Sequence, residues 1–182
     1  MKNLLSPKIY RGVFPSLIFL FFACEIPTEV YDNPLDVEND VFDTPAMVFF
    51  PDTVTVNVGG SVTLNVFAME ITNLSGSHIQ VNYNKNKLQL LSVNEGEFFS
   101  GADNLIFIFE NDPTTGTIDI YTSFLGGDTI SVSGTGSLAN LVLTATSSGM
   151  SSVTYTGACE FADPDDNPIE IKGFGEGVVN AQ

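Results

Sequence analysis

Over residues 48–182 the sequence predicts an all-β fold, a nine-stranded jelly-roll β-sandwich. Three observations lead there. Apolar side chains recur at every second position in short runs, the period of a half-buried strand. Clusters of Gly, Asn, Asp and Pro punctuate those runs. No stretch of any length carries a helical period. Such a set of strands buries one core between two sheets about 10 Å apart. The 182-residue chain has room for this domain and for further segments.

The first segment is of another kind. Lys2, Lys8 and Arg11 give a positive start, and an apolar stretch from Val13 to Ala23 follows, broken only by Pro15 and Ser16. It is shorter than the roughly 20 apolar residues of a membrane-spanning helix. Residues 1–23 therefore read as a secretory signal with small Ala23 before the cut. Cys24 comes next, and the whole resembles a bacterial lipoprotein signal, with Phe21 and Phe22 where Leu and a small residue are commoner. That resemblance implies lipidation at Cys24 and a secreted, lipid-anchored protein of the outer membrane or cell surface. Its membrane contact would run through the lipid alone. The same residues also suit an ordinary cleaved signal in which the cysteine is incidental.

Residues 24–47 read as an acidic flexible tether after the lipidated cysteine. Residues 25 to 50 carry seven acids, no base, and prolines at 27, 34 and 45, a composition that cannot build a core. "YDNPLDVEND" resembles the stretch that follows the lipid cysteine in many surface lipoproteins. It lacks the Gly and the closing Glu of a calcium-binding EF-hand loop.

The strands follow in order. Val54, Val56 and Val58 alternate with polar residues, and Gly59-Gly60 turns the chain. Val62, Leu64, Val66 and Ala68 alternate again, as do Ile79, Val81 and Tyr83. Leu88 and Leu90, the run Leu105 to Phe109, and Ile118 with Ile120 continue the pattern. Ala139, Leu141 and Leu143, then Val153 and Tyr155, then a short strand near Val178 complete it. Asn84-Lys85-Asn86, Glu95-Gly96, Asn111-Asp112-Pro113, Gly126-Gly127-Asp128 and Gly134-Thr135-Gly136 are the turns between them.

Charge narrows the partners. Only Lys85, Lys87 and Lys172 are basic after Cys24, whereas all 22 acids follow it, so that part carries 3 minus 22, or −19. Such a surface repels phosphate backbones and excludes nucleic acid as a partner. It attracts cations or basic proteins, and equally suits a salty medium. With Cys24 acylated, Cys159 has no disulfide partner and reads as a small buried hydrophobe.

Several phrases carry a family resemblance. "VTVNVGGSVTLNVFAMEITNLSGSHIQVNYNKNKLQLLSVNEGEFF" resembles the first half of a cohesin module. The shared elements are Asn73-Leu74-Ser75-Gly76, Tyr83-Asn84 and the Leu-rich strand from Leu88 to Gly96. "VSGTGSLANLVLTATSSGMSSVTY" and "FADPDDNPIEI" resemble later strands and a loop of the same family, so the likeness covers residues 48 to 180. In physical terms, Gly76 would let the chain turn closely over the sheet end. Small Ala139 would let the sheets approach, and Tyr83 would bury its ring while its hydroxyl reaches a polar loop.

The resemblance implies a cohesin-like, non-catalytic module. No histidine pair, nucleophile elbow or Cys/His metal set stands against that, and the acids lie mostly in loops, with no apolar pocket implied. A cohesin docks a dockerin, a small calcium-loaded helical module usually attached to an enzyme. The implied docking face comprises the strands 77–84, 104–110, 116–124 and 151–158. Alternation places His78, Gln80, Asn82, Asp119, Tyr121, Ser123, Thr154 and Thr156 on it. If Leu105, Phe107 and Phe109 face the core, Ile106 and Ile108 join them as an apolar centre. Gly76 and His78 stand where dockerin-binding cohesins commonly carry Asp and Asn, a departure that bears on which partner is recognised. Asp163, Asp165 and Asp166 could share a calcium ion if their loop curls; an acidic turn is the plainer reading. No other cofactor is implied. Two rival functions remain. One is direct binding of a polysaccharide through Tyr121 and scattered Phe, against which the lack of Trp counts. The other is a structural subunit of a surface assembly.

Overall fold

The computed structural model describes residues 43–100, 104–126 and 130–182. The signal segment, Cys24 and the tether as far as residue 42 lie outside the described residues. Thirteen strands and one short 3-10 turn, Glu97–Phe99, make up the described fold. Of the additional strands, three have only two or three residues, and Ala46–Phe50 is apolar at every position, so none of them shows alternation.

Five strands form the first sheet, in the order β12 (Gly173–Phe174), β1 (Ala46–Phe50), β3 (Ser61–Leu74), β8 (Val132–Ala145) and β5 (Leu88–Glu95). Ordered sheet thus begins at Ala46, two residues before the expected domain start. The second sheet is built around β4 (Gly76–Tyr83). Strand β7 (Thr117–Phe124) pairs with one edge of β4 from Gly76 to Asn82, and β6 (Leu105–Asp112) pairs with β7. Along the other edge of β4 lie β9 (Gly149–Tyr155) and then β10 (Glu160–Ala162). Outside β10 stands β11 (Pro168–Ile169); outside β9 stand β13 (Gly177–Ala181) and β2 (Thr53–Val56).

Alternation explains the core. Ile79, Val81 and Tyr83 of β4, Ile118 and Ile120 of β7 and Val153 of β9 point inward from the second sheet. Leu64, Val66, Leu141 and Leu143 meet them from β3 and β8, all fully buried. Full burial of such a side chain stabilises by roughly 1.5–3 kcal/mol. The two sheets are also joined through Tyr155. Its ring stacks on Phe49 at 4.4 Å, and its hydroxyl donates to the Val48 carbonyl at 2.8 Å. Burial raises the Tyr155 pKa well above the usual tyrosine value, so the phenol stays a donor. The Tyr83 hydroxyl donates to Asn111 Oδ1 at 3.1 Å, at the end of strand β6 and not in a loop.

Two glycines differ in what they do. Gly76 has ordinary room beside it, since an added Cβ would lie 3.6 Å from the Thr122 carbonyl oxygen. The positive φ at that corner belongs to Asn73, at 59°. The reading of Gly76 as a forced close turn is therefore corrected. Gly96 is the constrained one. A Cβ there would meet the Ser137 carbonyl oxygen at 1.9 Å, where the chain leaves β5 beneath β8.

Gly96→Ala should therefore lower stability by about 2 kcal/mol or more in urea denaturation. Gly157→Ala, with nothing within 4 Å of the new methyl, should stay within about 0.5 kcal/mol of the parent.

Candidate functional site

The four strands expected to form a docking face are neighbours in the second sheet, in the order β6-β7-β4-β9. Their outward residues follow from register. His78 lies opposite Tyr121, Gln80 opposite Asp119 and Asn82 opposite Thr117. On the far side of β7, Ile108 lies opposite Tyr121 and Ile106 opposite Ser123. Asn82 also meets Thr154 of β9.

Polar groups on this face are joined rather than free. The Thr156 hydroxyl donates to Gln80 Oε1 at 2.8 Å, and Gln80 Nε2 donates to Asp119 Oδ1 at 2.8 Å. His78 Nε2 reaches the same carboxylate oxygen at 2.8 Å. The His78 ring stacks on Tyr121, with centroids 4.6 Å apart and planes 8° apart. A chain of contacts thus runs from Thr156 across β4 to Tyr121 on β7. It holds five of the expected residues in fixed positions before any partner arrives. Burial of surface around the Tyr121 phenol, with Asp119 and Glu110 nearby, raises its pKa above the ordinary 10.0. It remains a neutral donor throughout the physiological range.

Apolar surface lies next to this network. Ile108 is 53% exposed and Tyr121 39%. Leu105 and Phe107 pack against the core as expected. Phe109 does not follow them fully: it is 41% exposed, because β6 is the edge of the sheet and β7 is its one strand partner. Ile106 is half-buried and Ser123 exposed.

Two acids of the face escaped the sequence reading. Glu110 shares the parity of Ile106 and Ile108 and lies opposite Asp119, so alternation alone could have found it. Glu160 lies opposite His78, on the far side from Tyr121. It lies past 158, where the expected strand ended. Between Tyr155 and Glu160 the chain holds two more residues than β4 does between Val81 and His78, an even excess that keeps the parity, so alternation carried on from Thr154 and Thr156 would have reached it. That excess is folded into the turn Thr156–Cys159, where Cys159 Sγ accepts from the Gln80 N–H at 3.4 Å. Burial raises the Cys159 thiol pKa, which keeps it protonated and unreactive.

The acidic loop is a turn. Asp163 Oδ1 accepts from the N–H groups of Asp165 and Asn167, each at 2.9 Å, and Asn167 Nδ2 donates to Oδ2 at 3.0 Å. These bonds, led by Asn167, lower the Asp163 pKa. Asp165 and Asp166 are exposed and not drawn in beside it. Among the described residues no three His, Cys, Asp or Glu side chains converge as a metal set. The loop thus takes the form of the acidic turn, with Asp163 engaged by the loop's own donors.

Comparison with known proteins identifies the architecture. The sequence profile of the Cohesin domain family matches residues 47–181. Among solved structures, the chain is similar to a type II cohesin domain from the cellulosome of Acetivibrio cellulolyticus. The TM-score is 0.67 at 19% identity, covering 76% of this chain and 96% of that one. It is similar to the sixth cohesin of scaffoldin B from the same organism, solved in complex with a mutant Cel5 dockerin. There the TM-score is 0.65 at 24% identity, over 75% and 98% of the two chains. A non-cellulosomal cohesin from the archaeon Archaeoglobus fulgidus gives 0.62 at 17% identity, over 75% and 90%. No curated protein sequence matches the chain.

The hairpin that carries β6 and β7 has a titratable lock. Asp112 accepts from the Thr114 hydroxyl at 2.5 Å and the Thr114 N–H at 2.8 Å, and these bonds lower its pKa from 3.8 to about 2. A depressed carboxyl contributes stability that is complete above its unfolded value and lost as pH falls through its folded value. The Thr114 amide resonance should therefore titrate with its midpoint near pH 2, not near pH 4. Loosening of this hairpin should be confined to the interval between them.

Proposed function

The chain belongs to the cohesin family, and from that premise we propose that it is a non-catalytic docking module whose β6-β7-β4-β9 face receives a dockerin-type partner protein. The observation that carries the proposal is the exposed centre of Ile108 and Tyr121, beside the prearranged Thr156-Gln80-Asp119-His78 chain. Binding energy concentrates where an exposed aromatic or aliphatic anchor is surrounded by fixed polar groups. Because these groups are already held by one another, docking costs little further ordering.

Family relatives support the partner class, since the sixth scaffoldin B cohesin was solved with a dockerin on it. The partner's load would be an enzyme acting on polysaccharide, in keeping with what the resemblance implies. The face itself lends no support to direct sugar binding. His78 and Tyr121 stack against each other and so do not lie side by side as a flat platform. Anchorage at Cys24 and display at the cell surface belong to the same proposal, on the strength of the leader and the acidic segment after it.

The test is calorimetry against a panel of calcium-loaded dockerins. One of them should bind, and chelation of its calcium should release it. Tyr121→Ala and Ile108→Asp should each weaken that complex about tenfold or more, with the fold retained and stability lowered by no more than about 1–2 kcal/mol. Binding that ignores both substitutions would place the interface elsewhere.

A further inference from the structure

Beside the docking face, the β10–β11 hairpin borders a groove of about 610 Å³. That is the size of sites that enclose a small ligand or a few residues of chain, roughly 300–1,000 Å³. Its origin is topological. After β11 the chain leaves the second sheet and joins the first at β12, so β11 is left as a sheet edge. The apolar residues of the crossing, which nothing in the alternation pattern marked as a pocket, line the space. Phe161 is 2% exposed at the bottom, Ile169 and Ile171 are half-buried, and Phe174 is 44% exposed.

The polar lining has one sign. Glu160, Asp166 and Glu170 are exposed around the groove, and no lysine or arginine lines it. Among the described residues none of the three carboxylates is paired in a salt bridge. Nor do they converge as a metal set. Apolar lining beneath unpaired carboxylates is the complement of a lysine or arginine side chain, whose stem prefers apolar contact and whose charged head prefers the margin. The edge strand β11 has only two residues and Pro168 lacks an N–H, so recognition here rests on side chains more than on main-chain pairing.

We propose that this groove binds an extended cationic segment of a partner protein, lysine or arginine alternating with apolar residues. A second copy of the chain fits poorly, because each carries a net charge of −16. One wall of the groove is Gly76, Ser77 and His78 of β4. A protein seated on the docking face could therefore extend a basic tail into it, yet the groove's affinity does not depend on that docking.

The test is an NMR titration of the 15N-labelled protein with a blocked hexapeptide of alternating lysine and valine. The control is the same peptide with glutamate for lysine. The lysine peptide should shift the amides of Phe161, Ala162, Ile169 and Ile171, less so at higher salt, and the glutamate peptide should not. Combining Glu160→Gln with Glu170→Gln, both exposed positions, should weaken the lysine peptide roughly two- to tenfold while the rest of the spectrum is kept. Equal binding of the two peptides, indifference to the double substitution, or shifts confined to β6 and β7 would overturn the assignment. So would self-association of the protein that moves the same amides. Failure of every dockerin to bind would leave this result untouched, which separates the two proposals.

Discussion

Everything at the surface depends on how β4 is enclosed. Its inner side chains, Ile79 and Val81, are fully buried, and strands pair with it along both edges. A strand held in this way has no freedom to slip, because a one-residue shift would carry its apolar set to solvent. The outward residues are then fixed as firmly as the inward ones. His78 and Gln80 face Tyr121 and Asp119 because Ile79 faces Ile120. The docking face is in this sense the reverse side of the core.

Most of this was legible in the residues. Val62 to Ala68 and Ile79 to Tyr83 alternate cleanly, and both are strands with their apolar sets buried. The grouping of the docking strands followed from the family likeness, and their outward parity followed from alternation. What was not legible has local causes. β11 and β12 have two residues each, too few for any period to show. Glu160 lies across the turn Thr156–Cys159, past the expected strand end at 158, and was not counted with the face although the parity is kept. Asp163 organises its own loop by accepting from Asp165 and Asn167, and only geometry reveals that.

The distribution of charge separates two kinds of contact on one sheet. At the docking face Asp119 is bound by His78 and Gln80, so its charge serves internal order first. Around the groove the carboxylates are unpaired, so their charge is available to a partner. A single strand, β4, borders both regions and would let one partner sense two different chemistries.

Strand β1 has a consequence for load. It lies between two neighbours, antiparallel to β3 over five residue pairs and parallel to β12 over two. Ladder hydrogen bonds run across the strand direction. A pull exerted along β1 therefore strains both rows together, where a hairpin tugged from its open end would unzip bond by bond. Under such a pull the rows would have to break together, and rupture would then be governed by the rate of unfolding and not by equilibrium stability alone.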